Sequence, residues 1–75
     1  MRKDIAVKTL MKPTREIRPL SVVWEDGREY EIDHIYSVRP APAKSGGGMG
    51  LRYEVRIAGK IKYLYLDEYV WFIEV

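Results

Sequence analysis

The sequence predicts an all-β domain: a small five-stranded, strongly bent antiparallel sheet closing into a barrel. Three observations carry this. Apolar residues recur at every second position in several short runs, the spacing that lines one face of a strand. Turn signals rich in Gly, Pro and Asp separate those runs, and no ten-residue window has helical spacing with caps. A single turn of helix around residues 13–18 is the most that the pattern offers, and a closed sheet would leave no bare edges.

Along the chain, residues 4–11 place Ile5, Val7, Thr9 and Met11 at period two and read as the first strand. Lys12-Pro13-Thr14-Arg15-Glu16 and then Arg18-Pro19 interrupt it, since proline has no ladder donor, so this stretch reads as a loop or crossing. Residues 20–24 and 28–38 flank Glu25-Asp26-Gly27, a hairpin signal. A three-residue loop with Gly27 left-handed sets Trp24 against Arg28, Val22 against Tyr30 and Leu20 against Ile32. That register gathers the large apolar groups on one face and sends Ser21, Glu29, Glu31 and Asp33 to the other, whereas a one-residue slip would mix them. Alternation then continues inward through His34, Tyr36 and Val38, unless a bulge near Asp33 re-aims Ile35.

Residues 39–50 hold two prolines and four glycines and read as a flexible loop. Leu51, Tyr53, Val55 and Ile57 follow, alternating with Arg52, Glu54 and Arg56, and a Gly59-Lys60 turn would align Val55 with Leu64 and Arg56 with Tyr63. The last strand, 69–75, is apolar on both sides. A three-residue turn before it would put Val70 and Phe72 on the core side, leaving Trp71 and Ile73 with Ile61, Tyr63 and Tyr65 on a second face that needs covering.

Seventy-five residues, 47% of them hydrophobic and 32% charged, make one domain and exclude a disordered tail. The absence of cysteine excludes disulfides, thiolate metal sites and a cysteine nucleophile. With no membrane-length apolar run and a charged start, Met1-Arg2-Lys3-Asp4, the expectation is a cytoplasmic protein without membrane contact. The net charge of +2 hides blocks of +4 (residues 1–18), −4 (25–34), +5 (35–62) and −3 (63–75), which suit mutual neutralisation across a sheet.

Enzyme chemistry finds little footing in one histidine, His34, and few hydroxyls, so no catalytic residue, cofactor, metal or small-molecule substrate is expected. Glu25, Asp26, Glu29, Glu31 and Asp33 lack calcium-loop spacing. Lys44-Ser45 precedes glycines 46–48 and a strand follows, the reverse of a phosphate-binding loop.

In length and strand count the chain resembles the Src-homology-3-like small barrels, without a peptide-binding motif of that class. Val23-Trp24-Glu25-Asp26-Gly27-Arg28 and the closing Trp71-Phe72 resemble phrases in short bacterial proteins of similar size that carry no assigned activity. The functional expectation is a non-enzymatic accessory or adaptor module. It would act by protein–protein interaction or homodimerisation through Ile61, Tyr63, Tyr65, Trp71 and Ile73. The alternative is a weak, sequence-tolerant nucleic-acid-binding barrel using Arg52, Arg56, Lys60, Lys62, Tyr63 and Tyr65, with rings stacking on bases and cations meeting phosphates.

Overall fold

The computed structural model describes residues 1–42 and 49–74, Met49 by its backbone alone. All regular structure among them is extended: β1 (Arg2–Asp4), β2 (Ala6–Met11), β3 (Ile17–Val23), β4 (Glu29–Pro42), β5 (Met49–Ile57), β6 (Lys60–Asp67) and β7 (Val70–Glu74). Successive strands pair antiparallel in one curled sheet of order β1-β7-β6-β5-β4-β3-β2, which forms a half-barrel. The sheet has seven strands, not five. The first predicted strand breaks at Ile5, whose N–H donates to the Trp71 carbonyl at 3.0 Å, so β1 pairs with β7 while β2 pairs with β3. One N-terminal segment thereby lies along both ends of the sheet.

The stretch read as a loop or crossing at residues 12–19 is a hairpin turn followed by strand. Its geometry repeats that of the Glu25-Asp26-Gly27 turn. In one, Lys12 N–H donates to Glu16 O (2.9 Å) and Arg15 N–H to Lys12 O (2.8 Å); in the other, Trp24 N–H donates to Arg28 O (2.8 Å) and Gly27 N–H to Trp24 O (2.9 Å). Both are three-residue loops ending on a left-handed residue, Arg15 at φ 74° and Gly27 at φ 88°. Pro19 sits inside β3 because it faces Thr9 where the register shifts by one residue, a bulge that spares it a ladder donor. Leu20 is the extra residue there and turns out to solvent instead of joining Ile32 in the core.

The β3–β4 hairpin has the expected register, Val22 opposite Tyr30 and Val23 opposite Glu29. In β4 two shifts against β5, at Asp33 and Tyr36, re-aim the strand. Ile35 packs on the core opposite Val55, while His34 and Tyr36 are exposed, their rings edge to face at 4.6 Å. Positions 39–42 and 49–50, expected in a loop, belong to β4 and β5, with Arg39 facing Arg52 and Ala41 facing Gly50. The prolines are tolerated because β3 pairs only with Glu29–Glu31, leaving one side of this half of β4 without a ladder to break among the described residues. The Lys44-Ser45 motif and glycines 46–48 lie outside the described residues.

The core gathers on the concave side: Val22, Tyr53, Val55, Leu64, Leu66 and Trp71, with Ile5, Val7, Ile32, Ile35 and Ile57 against it. The buried Tyr53 donates its hydroxyl hydrogen to the Ile17 carbonyl at 2.8 Å, tying β5 to β3 across the half-barrel. Burial, reinforced by the charge of Glu16, pushes its phenol pKa up. The first two charge blocks neutralise each other as expected, through Lys3–Glu25 (3.0 Å) and Lys8–Glu29 (2.8 Å). Among the described residues, no helix is long and apolar enough to cross a membrane.

Candidate functional site: a cleft between β6 and β7

Two turns decide where the predicted site residues go. The β5–β6 turn is Ala58-Gly59, with φ of 52° and 76°, the paired positive values of a type I′ hairpin. The expected Gly59-Lys60 turn is off by one position, so the register moves by two: Tyr53 faces Leu64, Val55 faces Lys62 and Glu54 faces Tyr63. A two-residue shift preserves faces and changes only partners. Arg52, not Arg56, is the cation over the Tyr63 ring, at 5.2 Å, and Arg56 lies 3.9 Å from Asp33.

The β6–β7 turn, Glu68-Tyr69, has two residues instead of three, with Glu68 at φ 58°, and sets Tyr65 against Phe72 and Leu66 against Trp71. This is a shift of one, which reverses both sides of β7. Trp71 enters the core, 9% exposed, 5.2 Å from the Tyr53 ring, and leaves the predicted interaction face. Val70 turns outward. Phe72 is buried on the convex side between the stacked Tyr65 ring, 5.0 Å away, and the Arg2 guanidinium, 4.1 Å from its centroid.

The β6–β7 ladder then stops. Its last pair among the described residues is Tyr65↔Phe72, after which β7 continues there only along β1, as Ile73↔Lys3 and Glu74↔Arg2. Lys60–Leu64 stay paired with β5 and diverge from β7, and the wedge between them opens a cleft of about 520 Å³. Ile5, Val22, Trp24, Tyr30, Ile57 and Leu64 make its apolar walls, and every residue from Lys60 to Tyr65 borders it. Consecutive residues lining a space mean that a strand's edge, not one of its faces, fronts it.

Of the predicted interaction residues, Ile61, Tyr63, Tyr65 and Ile73 border the cleft and Trp71 does not. Ile61 is 58% and Tyr63 45% exposed, large apolar surface left for contact. Of the nucleic-acid set, Arg52, Arg56, Tyr63 and Tyr65 share the convex face, while Lys60 and Lys62 face the other way, Lys62 opposite Val55. Glu54 stands within the arginines, accepting from Ser37 Oγ at 3.3 Å and Tyr63 OH at 3.5 Å. The sequence reading missed Trp24, Tyr30 and Ile57 as cleft walls. Their alternation marks them as inward-facing, but the gap that exposes them comes from the early end of a ladder, for which no residue pattern is a signal. No family model, curated protein or solved structure matches the chain.

Proposed function

We propose that this chain is a non-enzymatic accessory or adaptor module of the bacterial cytoplasm that docks a protein partner in the β6–β7 cleft. We also read the curled sheet as an Src-homology-3-like barrel, supported by an N-terminal segment that pairs with both ends. The observation that carries the functional reading is the coincidence of an interrupted ladder with exposed Ile61 and Tyr63 beside an apolar hollow. A photo-crosslinking residue placed at Ile61 in cells yields one discrete protein adduct, and the same residue at Thr14, in the β2–β3 turn, yields none. Adducts of equal pattern at both positions, or none at Ile61, overturn the reading.

A second reading has its own support. Arg39 stands directly opposite Arg52, a like-charge pairing that a strand ladder disfavours, and Arg56 and the half-exposed Tyr63 lie on the same face. That grouping suits a single-stranded nucleic acid. Binding of mixed-sequence single strands would then weaken steeply between about 50 and 200 mM salt, and Arg52→Ala with Arg56→Ala would flatten that dependence. Unchanged affinity in the double variant removes the convex face from consideration.

A further inference from the structure

The cleft has a directional side that identifies the form of its occupant, given the reading above that a protein docks there. In a hairpin closed by a two-residue I′ turn, the residues flanking the turn exchange both ladder bonds, and the pattern then alternates. Ile57↔Lys60 is that closing pair, so Lys60, Lys62 and Leu64 spend their N–H and C=O groups on β5. Ile61, Tyr63 and Tyr65 turn theirs the other way. Tyr65 meets Phe72, the last rung of the β6–β7 ladder; Ile61 and Tyr63 have no rung on that side among the described residues. Two residues therefore present donor and acceptor into the cleft, spaced as the next strand of a sheet requires.

We infer that the occupant is an extended, acidic peptide strand of another protein, which adds to β6 along Ile61–Tyr63 and takes up the ladder where β7 leaves it. Alternate side chains of such a strand would lie on the concave side, apolar ones against Trp24, Tyr30, Ile57 and Leu64 and acidic ones beside Lys60 and Lys62, while the ladder bonds supply affinity. The charge follows from Lys60 and Lys62, two cations against one carboxylate at the cleft, Glu74, which stands opposite Arg2 in the β1–β7 ladder. Both are exposed at the cleft, and neither has an ion-pair partner among the described residues, whereas Lys3, Lys8 and Lys12 are all paired. The same lysines argue against a second copy of this chain as occupant. A two-fold pairing centred on Ile61 would set Lys60 and Lys62 against the copy's Lys62 and Lys60, the arrangement that edge strands use to avoid joining each other.

The test is an amide NMR titration of the labelled chain with a synthetic peptide in which threonine alternates with valine and glutamate in turn, so that one face carries both, and with a counterpart that has lysine for glutamate. The expected result is that shifts concentrate at Ile61 and Tyr63, that both amides become protected from exchange, and that the lysine peptide binds at least about tenfold more weakly. Lys60→Glu with Lys62→Glu, at two exposed positions, reverses the preference. Of two glutamate peptides methylated on alternate backbone nitrogens, one keeps binding and the other loses it, because only one set of amides faces β6. Equal binding of the two charge types, shifts that spare Ile61 and Tyr63, or equal behaviour of the two methylated peptides overturns the inference. So does protection of these amides by self-association or by single-stranded nucleic acid. A protein adduct at Ile61 without peptide-induced shifts would leave the docking reading standing and remove strand addition alone; absence of both removes both.

Discussion

At Gly50 the chain has no room for a side chain, since a Cβ there would stand 2.5 Å from the Leu66 carbonyl oxygen. That oxygen belongs to backbone and cannot swing aside, so Gly50→Ala must spread β5 from β6 at the end of the sheet where Leu51 faces Leu66. We expect a loss of about 1–3 kcal/mol in urea unfolding. Glu29 supplies a residue-scale pH effect. The Lys8 ammonium, then the Ser21 hydroxyl at 2.8 Å, hold its carboxylate pKa below the usual 4.5. A carboxylate whose folded pKa is depressed contributes stability that is complete above 4.5 and is lost as pH falls through the lower folded value. Unfolding measured from neutral pH downward should therefore show a steeper acid decline in the wild type than in Glu29→Gln. Parallel curves would mean that the ion pair does not bear on folding.

The two three-residue hairpin loops offer a comparison at the scale of elements. They share hydrogen-bond geometry but place glycine at one left-handed position and Arg15 at the other. An L-residue crowds its own carbonyl there, at a cost of roughly 1–2 kcal/mol, part of which glycine returns through the freedom of the unfolded chain. Arg15→Gly should stabilise the domain by about 0.5–1 kcal/mol, seen as a higher thermal midpoint, and a lower midpoint would contradict this account of the β2–β3 turn. The two-residue β6–β7 turn has the larger consequence, because it places Trp71 in the core. Trp71→Ala should cost about 3–5 kcal/mol, a large share of what a domain this small has. Its unfolding midpoint in urea should fall at every protein concentration alike, as expected of a lost core contact and not of a broken dimer.

For the whole molecule, the N-terminal segment is the closing device. Arg2, Lys3 and Asp4 pair with Glu74, Ile73 and Phe72, and the Arg2 guanidinium, bonded to Asp4 at 2.9 Å, roofs the Phe72 ring. Without β1 the outer side of β7 becomes a bare edge and Phe72 loses its cover. Hydrogen exchange on a chain beginning at Ile5 should show fast amides in β7 and unchanged protection in the β4–β5 ladder. Equal acceleration everywhere would mean that closure and core form one cooperative unit.

Much of this was legible in the residues. Strict alternation in 51–57, the placement of Gly27 and the apolar–acidic contrast of 20–33 yielded the strand class, one hairpin in register and a bulge near Asp33. Those features are local: pleat periodicity and turn stereochemistry act within a few residues. The hairpin across Pro13 and the strand positions of Pro19, Pro40 and Pro42 were hidden, because proline reads as a breaker until a bulge or an unpaired side accommodates it. The candidate site was legible in part. Ile61, Tyr63, Tyr65 and Ile73 do border one cleft, yet Trp71 crossed to the core because a turn one residue shorter than expected reverses a strand that is apolar on both sides. By itself the sequence determined an all-β chain, its turn signals and the neutralising charge blocks, since these depend on neighbours along the chain and on side-chain chemistry. Only the tertiary structure decided that β6 and β7 part after Tyr65↔Phe72, where β7 goes on along an N-terminal strand some seventy residues away in sequence, a pairing that patterns acting within a few residues do not encode.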